Sequence, residues 1–422
     1  MSTSIARPTT ESLLESLNLF LVTRMFNKKI GIITPWFGHF AGGAERLARG
    51  MAVELNKRGV TTFVFTTCSK SPYDSWWQDH YEPGLYEVEG IQTRRFATNK
   101  KREPYDAAIS KLSRGKSLSA TEEEDFFNYG LNSSDLVHAL AEYISEEYEL
   151  LALPYFYGLT HSAINQYPNQ ISLIPCFHDE PQFYWAATER LLANSKHVFF
   201  NAYEEKLLTI KQYGRRIGRS IVESAVTGVG VELPSTNGHG TEPAELLPER
   251  YFVYAGRKER GKNVHLLAEW FLEYTAKYGS NTKLVFIGGG DKSLVPPSDR
   301  CVDLGFVSEE RKLQVLKDSM GIINLSDNES FSIVIMEGWL SGVPCVVSAN
   351  CAVTQSHVNR CNGGLSVSGK QEFCEALKYL EEQETMRHRM GANGKQYLTR
   401  EFSFDAVLGR YLSVLARTED RS

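Results

Sequence analysis

Short apolar runs that alternate with helical segments constrain the fold of this 422-residue chain most strongly. Residues 29–34 and 61–67 are typical of strands buried on both faces, and a glycine turn and a helix ending near Lys57 lie between them. The same order returns at Tyr251, after a stretch rich in Gly and Pro at 228–249. Because parallel strands need such helical crossovers, the pattern predicts doubly wound, parallel α/β sheets.

Chain length and the Gly- and Pro-rich stretch predict two domains, since one core rarely extends over so many residues. We expect an N-terminal extension at 1–28 and a first Rossmann-like domain at 29–235. A second Rossmann-like domain is expected at 236–400, and a helix at 401–422 that packs back on the first domain. The alternation weakens at about 69–134, which predicts an irregular insertion.

Composition argues for a protein of a reducing compartment with no nucleic-acid partner. The net charge is -5, and the seven cysteines are scattered without a Cys-x-x-Cys pair, so neither a disulfide scaffold nor a zinc site is indicated. The N-terminus carries Glu11 and Glu15 where a secretory signal is basic, and no apolar run is long enough to span a membrane. A cytoplasmic location is predicted, with any contact to the inner face of the membrane being peripheral.

The insertion is rich in basic residues and ends in an acidic run at 122–125. Two interpretations are open for its charges, of which a solvated protein face is the first. The second, a minority interpretation, is a mobile surface that docks an acceptor against lipid phosphate. The basic residues are Arg94, Arg95, Lys100, Lys101, Arg102, Lys111, Arg114 and Lys116.

Three loops offer chemistry where a strand ends. Gly42 and Gly43 begin the helix after the first strand, where backbone N–H groups could bind a phosphate or could form a plain turn. His178 follows an expected strand at 171–177, the edge at which such folds bind ligands, although a lone histidine is more often structural. Arg257 and Lys262 lie before a helix, where they suit a diphosphate or a solvated loop.

Glu329 and Glu337 are eight residues apart in a segment that predicts a helix over 331–340. Asp327, Asn328 and Ser330 are suited to cap its start. On one helix the two carboxylates would share a face about 12 Å apart, farther than the roughly 5 to 9.5 Å of glycosidase pairs. The spacing suits a clamp on an extended ligand, or merely a cap and a solvated side chain.

Gly288-Gly289-Gly290 resembles a dinucleotide-binding loop only superficially. The G-x-G-x-x-G spacing is missing, and Pro296-Pro297 interrupts the helix that such a loop must begin. The sequence therefore argues against a nicotinamide-dependent dehydrogenase.

Taken together, these motifs resemble the retaining glycosyltransferases of family 4. The resemblance covers about 29–417 and is carried by residues 42–46, His178-Asp179, Gly256-Arg257 with Lys262, Gly305-Phe306-Val307, and the E-x7-E motif of Glu329 and Glu337. It implies the GT-B fold, in which an acceptor domain and a donor-nucleotide domain face a cleft.

The resemblance also implies a role for each motif. Arg257 and Lys262 would bind the donor diphosphate, Glu329 and His178 the donor sugar, and Glu337 the ribose. Val307 would contact the base through its backbone, and backbone N–H groups near Glu329 would bind sugar hydroxyls. The catalytic set is Glu329, His178, Arg257 and Lys262, and the substrate-binding set is Gly42, Gly43, Val307, Ser330, Phe331, Ser332, Ile333 and Glu337.

The expected reaction is transfer of a hexose, with UDP-glucose as the first choice of donor, to a glycan or lipid-linked acceptor in surface or exopolysaccharide synthesis. No Asp-x-Asp metal site is recognisable, so no metal or other cofactor is expected and fixed cations would neutralise the leaving group. Retention would follow from front-face attack, in which the departing phosphate helps to deprotonate the acceptor.

Two departures from the family pattern stand out. Ser332 occupies a position where glycine is usual, and 349–353 lacks the common Gly-Gly-x-x-Glu-Val pattern. The alternatives to transfer are a sugar-nucleotide-binding protein without activity and a nucleotide-sugar epimerase of the same fold.

Overall fold

The structure, a computed structural model, describes residues 26–39, 42–222, 224–231 and 247–417, with the backbone alone for 218–222. The chain divides into two compact units: Met1–Gly230 with Phe404–Ser422, and Val231–Ser403. Most of the expected N-terminal extension at 1–28 and most of the Gly- and Pro-rich stretch at 228–249 lie outside the described residues.

The first unit is built on a six-stranded sheet with the order β3-β4-β2-β1-β5-β6. Its central strands β1 and β5 consist mostly of buried apolar residues, as expected for strands covered on both faces. All pairings are parallel except that of β3 with β4 at one edge. The strands are β1 (Lys29–Ile33), β2 (Thr62–Thr67), β3 (Gly84–Val88), β4 (Ile91–Phe96), β5 (Tyr148–Ala152) and β6 (Ile171–Leu173).

Helices cover this sheet and enclose an aromatic and aliphatic core that includes Phe65, Tyr155 and Phe177. A separate parallel pair, β7 (Phe199–Phe200) with β8 (Ala225–Val226), follows in the chain. The helices are α1 (Gly43–Lys57), α2 (Glu103–Ser113), α3 (Ala120–Asn128), α4 (Ser134–Ala139), α5 (Gly158–Gln166), α6 (Ala186–Asn194) and α7 (Tyr203–Val222).

The insertion at about 69–134 is not irregular, which corrects the prediction. β3 and β4 extend the sheet, and α2 and α3 pack around Phe126 and Phe127. β3 is an edge strand with the sequence GLYEV that is mostly exposed, and β4, with the sequence IQTRRF, is interrupted by polar residues, so neither has the apolar run on which the prediction of strands relied. The expected strand at 171–177 ends at Leu173.

The second unit has an all-parallel six-stranded sheet with the order β11-β10-β9-β12-β13-β14. Its strands are β9 (Tyr251–Ala255), β10 (Lys283–Ile287), β11 (Cys301–Gly305), β12 (Ile322–Asn324), β13 (Cys345–Ser348) and β14 (Gly364–Val367). Its helices are α8 (Val264–Tyr278), α9 (Glu309–Asp318), α10 (Ile333–Leu340), α11 (Ala352–Cys361), α12 (Lys370–Glu382) and α13 (Glu384–Phe402).

The last helix, α14 (Phe404–Ala416), belongs to the first unit. Arg58 donates to Asp405 at 2.6 Å, Arg410 Nε donates to the carbonyl of Thr227 at 2.9 Å, and the ring of Tyr411 packs near the β7–β8 pair. Among the described residues, no helix combines the length and the apolar character that a membrane span requires.

Candidate functional site

Most of the predicted donor-binding residues lie on loops that follow the strands of the second sheet. Arg257 follows β9, Val307 follows β11 and Glu329 follows β12, while Lys262 closes a short 3-10 turn before α8. Because all these strands are parallel, their carboxyl ends share one edge of the sheet, where open α/β folds bind ligands.

Lys262 and Glu329 form an ion pair although 67 residues separate them. The Nζ of Lys262 lies 3.0 Å from Oε1 of Glu329 and donates to the carbonyl of Asn328 at 3.3 Å. Both side chains keep some exposure, 28% and 15%. A cation and a carboxylate are therefore held together at this edge, within reach of solvent.

Asn324 restrains the side chain of Glu329 through a hydrogen bond and was not predicted as a site residue. Its amide nitrogen donates to Oε1 of Glu329 at 3.2 Å and to Oγ of Ser332 at 2.8 Å. The available signal was a buried polar residue at the carboxyl end of an otherwise apolar strand, Ile322-Ile323-Asn324.

Ser332 adopts a left-handed backbone conformation, with φ of 68°. Glycine, which the resemblance predicts at this position, would avoid the cost of a Cβ atom in that region of φ/ψ space. Here the cost is offset in part by the hydrogen bond with Asn324. The departure thus has a local explanation in this chain.

The predicted helix start at Phe331 is wrong, because α10 begins at Ile333 after the left-handed Ser332. Glu329 is in a loop, so the estimate of 12 Å along one helix does not apply. Asp327 is not a cap: it accepts hydrogen bonds from Asn263 at 2.9 Å and from Ser348 at 2.7 Å. No side chain caps this helix start.

The other backbone positions near Glu329 differ in exposure. Phe331 is buried between the rings of His357 and Phe402 and anchors the loop, whereas Ser330 and Ile333 are partly exposed. The loop between β12 and α10 thus presents Ser330 and is held in place by Phe331, and Ile333 is the partly exposed first residue of the helix.

Glu337 is nearly buried on α10 and is tied to a lysine. Oε1 of Glu337 accepts from Nζ of Lys312 at 2.9 Å, and that lysine also pairs with Glu309 at 2.6 Å. A second carboxylate–lysine pair therefore lies on the same unit. Sequence reasoning missed Lys312, because its position on α9 carries no signal of this long-range contact.

Arg257 is the most exposed of the predicted cations, with 55% of its side chain accessible and its Nε 3.4 Å from Glu259. Tyr254 Oη donates to the carbonyl of Arg257 at 2.7 Å and steadies its backbone. At the neighbouring loop, Gly305 has a φ of 63°, Phe306 is 71% exposed and Val307 is half-buried.

Lys258, which follows β9, contacts the loop after β10 and Asp303 on β11, and it was not predicted as a site residue. Its ammonium is buried, donates to the carbonyl of Gly288 and pairs with Asp303 at 2.9 Å. Gly288, with φ of 113°, lets its loop lie close to the loop of Gly256, since a Cβ atom at Gly288 would lie 2.3 Å from the carbonyl oxygen of Gly256. The glycine run of this chain thus serves contacts between loops.

The remaining predicted residues lie in the first unit. Gly42 precedes α1, and Gly43 is its exposed first residue. A Cβ atom at Gly43 would meet no described atom within 4 Å, so local packing does not require this glycine. Ala41 of the same loop is outside the described residues.

The side chain of His178 is 32% exposed and lies beside a hydrogen-bonded pair, Tyr155 and Glu180, on the first unit. Its Nδ1 lies 3.6 Å from Oε1 of Glu180, which accepts from Oη of the buried Tyr155 at 2.6 Å. Burial, together with the carboxylate of Glu180, raises the pKa of Tyr155 well above its usual range. The tyrosine therefore acts as a donor that orients Glu180 beside the histidine.

A buried carboxylate, Glu205, holds the turn that leads to His178. It accepts the backbone N–H groups of Phe177 and Asn201, both at 2.6 Å. Burial raises the pKa of Glu205 to about 8, although these N–H groups favour the charged form. Cys176, in this turn, has φ of 56°.

Most basic side chains of the insertion have partners. Lys100 pairs with Asp79, Arg102 with Asp106, and Lys111 with Glu122, the last two at 2.7 and 2.6 Å. Arg95 is buried and donates to the carbonyls of Phe37 and Thr67. These pairings agree with the first interpretation, a solvated protein face, and the docking of an acceptor stays a prediction.

Comparisons with known proteins agree with this architecture. A sucrose-phosphate synthase from Thermosynechococcus elongatus superposes with a TM-score of 0.64 at 16% identity, covering 94% of this chain and 100% of that one. Anabaena HepE, solved in complex with UDP and glucose, gives 0.61 at 15% identity, covering 93% and 100%. The fold is GT-B.

Sequence comparison gives a family match for the second unit, which carries Lys262 and Glu329. Residues 242–397 match the glycosyl transferases group 1 family, so this part of the chain is a glycosyltransferase domain. The chain is also 25% identical over 186 residues to an α-1,3/1,6-mannosyltransferase, ALG2 of Dictyostelium discoideum. That match covers 38% of this chain and 44% of the relative, less than half its length.

Proposed function

We propose that this GT-B protein is a retaining glycosyltransferase that moves a hexose from a UDP-sugar to a saccharide acceptor. The observation that carries the proposal is the Lys262–Glu329 pair, which lies at the carboxyl edge of the second sheet within a glycosyltransferase domain. A cation and a carboxylate lie together there, which supports a diphosphate bound by the lysine and sugar hydroxyls bound by the glutamate.

Each end of the donor has a proposed partner. Arg257 and Lys262 bind the diphosphate and neutralise the charge that develops on the leaving group, an arrangement that needs no metal. Glu329 and the N–H groups near Ser332 bind the sugar. Glu337 binds the ribose, which requires that it share its carboxylate with Lys312.

On the first unit, Gly42 and Gly43 approach the donor phosphate through their N–H groups, and His178 binds the donor sugar. Val307 contacts the base through its backbone. These contacts hold the anomeric carbon for front-face attack, in which the acceptor hydroxyl gives its proton to the departing phosphate oxygen. The bond from sugar to phosphate breaks as the bond to the acceptor forms on the same face.

UDP-glucose is the first donor to test, because a structural neighbour binds UDP and glucose. A second candidate is a mannose donor, favoured by the similarity to a mannosyltransferase. The proposed acceptor is a glycan or lipid-linked saccharide of surface or exopolysaccharide synthesis, with the enzyme in the cytoplasm.

The experiment is to incubate the purified protein with a panel of nucleoside diphosphate hexoses, with and without saccharide acceptors. UDP release that depends on the acceptor, with an α-linked product from an α-linked donor, supports the proposal. Binding without turnover would favour a sugar-nucleotide-binding protein, and isomerisation of the donor would favour an epimerase. Turnover of a mannose donor alone would correct the choice of sugar.

A further inference from the structure

Helix α7 exposes a stripe of large apolar side chains on the first unit. Tyr203, Leu207 and Ile210 are 47%, 44% and 42% exposed. Their spacing places them within about 60° of one another around the axis, over about 10 Å of helix. The opposite face, with Glu205 and Thr209, is buried. The exposed stripe is therefore not required for the core of the unit.

Basic side chains flank the stripe. From residue 206 to the end of α7 the sequence has no acidic residue, and its basic residues are Lys206, Lys211, Arg215, Arg216 and Arg219. Lys211 and Arg215 are exposed and lie along one side of the stripe. Neither pairs with an acidic side chain among the residues that the structure describes.

The acidic side chains around the stripe lie near its ends or take part in other contacts. Glu204 is in the first turn of α7, and Glu205 is buried and accepts backbone N–H groups. Glu189 on α6 pairs with Arg216 at 2.6 Å. Beyond the first turn of α7, the side of the stripe that carries Lys211 and Arg215 is therefore positive, in a protein whose net charge is negative.

We propose that this face of α7 docks on an anionic lipid bilayer. Tyr203, Leu207 and Ile210 would enter the boundary between head groups and acyl chains, with Lys211 and Arg215 at the phosphate level. Charge complementarity identifies the occupant: a net negative protein is repelled by an anionic surface except where a local positive patch outweighs that repulsion. The proposal does not depend on the proposed activity.

The test is co-sedimentation of the full chain with vesicles, without donor or acceptor. Binding is expected to vesicles of equal parts phosphatidylcholine and phosphatidylglycerol at about 0.05 M NaCl, with loss at about 0.5 M NaCl, where the Debye length is only a few ångströms. Pure phosphatidylcholine vesicles should bind far less. L207Q/I210Q and K211E/R215E should each weaken binding by at least about tenfold.

Two matched controls separate this face from general surface effects. L85Q/I109Q changes two other exposed apolar residues, which are 79% and 40% exposed, and R389E/K395E reverses two exposed basic residues on α13. Both should bind as the wild type does. Absence of vesicle binding by the wild type, or equal loss in the controls, would overturn the proposal. A wild-type oligomer that L207Q/I210Q converts to monomer by light scattering would instead identify a self-interface and would also overturn it.

Discussion

At the residue scale, Ser332 shows how a side chain can occupy a backbone conformation that favours glycine. A Cβ atom in the left-handed region costs roughly 1–2 kcal/mol. A net hydrogen bond is worth about 0.5–1.5 kcal/mol, and Ser332 makes one with Asn324 at 2.8 Å. The two terms are similar in size, so the serine is tolerated where its hydroxyl has this partner.

This balance predicts the stability of two variants. S332G removes both the strain and the hydrogen bond, so its free energy of unfolding should stay within about 1 kcal/mol of the wild type. S332A keeps the Cβ atom and loses the bond, so it should be less stable than S332G by roughly 1 kcal/mol. Urea denaturation measures both, and an alanine variant more stable than the glycine variant would contradict the balance.

Glu329 is expected to act on the sugar rather than on UDP. E329Q removes the negative charge beside Lys262 and keeps the size of the side chain, so the lysine remains available to the diphosphate. UDP affinity should be unchanged or tighter by calorimetry, whereas kcat for transfer should fall about 10- to 100-fold.

The exposed carboxylate Glu310 on α9 offers a matched control for that variant. E310Q should alter neither the affinity for UDP nor kcat for transfer. If E329Q weakens UDP binding by the same factor as transfer, the assignment of Glu329 to the sugar is wrong.

At the scale of elements, buried groups position the loop that carries His178. Glu205, at the start of α7, is hydrogen-bonded to the N–H group of Phe177, directly before the histidine. Burial raises the pKa of Glu205 from its ordinary 4.5 to about 8. The folded chain therefore binds this proton more tightly than the unfolded chain does, and the stabilisation from Glu205 is lost as pH rises from 4.5 toward 8.

Thermal melts over this range test the linkage. The difference in melting temperature between wild type and E205Q should decrease by roughly 2–4 °C from about pH 5.5 to about pH 8.5. The reason is that only the wild type retains a carboxyl that loses its proton in this interval. A difference that grows with pH would show that the carboxylate is the form favoured by folding.

Glu381 provides the control, because its pKa shifts in the opposite direction. Burial acts to raise its pKa, but hydrogen bonds from Tyr274, Ser280 and Thr282 outweigh burial and lower it. The stabilisation that Glu381 contributes to the folded state is complete above pH 4.5 and is lost only at more acidic pH. The difference between wild type and E381Q should therefore stay constant from about pH 5.5 to about pH 8.5.

At the scale of the whole molecule, the inner strands could be predicted and the contacts between distant loops could not. β1 and β2 lie within the predicted ranges 29–34 and 61–67, because a strand covered on both faces is rich in apolar residues. Edge strands such as β3 carry a weaker pattern. The motifs located Lys262 and Glu329, but their pairing depends on chain positions 67 residues apart.

The start of α10 shows the same limit. Periodicity and capping residues favoured a helix start at Phe331, yet the left-handed Ser332 shifts the start to Ile333. That conformation is supported by Asn324 on a different element, and the buried Lys258 likewise depends on Asp303. Such contacts are set by the packed sheet, so local sequence cannot predict them.

The measurement that tests the central claim most directly is calorimetric titration of UDP into wild type, R257A and K262A, with R389A as a control on the same unit. If the two cations bind the diphosphate, R257A and K262A should each lose about 1.5–3 kcal/mol of binding free energy, about 10- to 100-fold in affinity. R389A should bind UDP as the wild type does. Unchanged affinity in R257A and K262A, or an equal loss in R389A, would contradict the assignment of this edge to the donor.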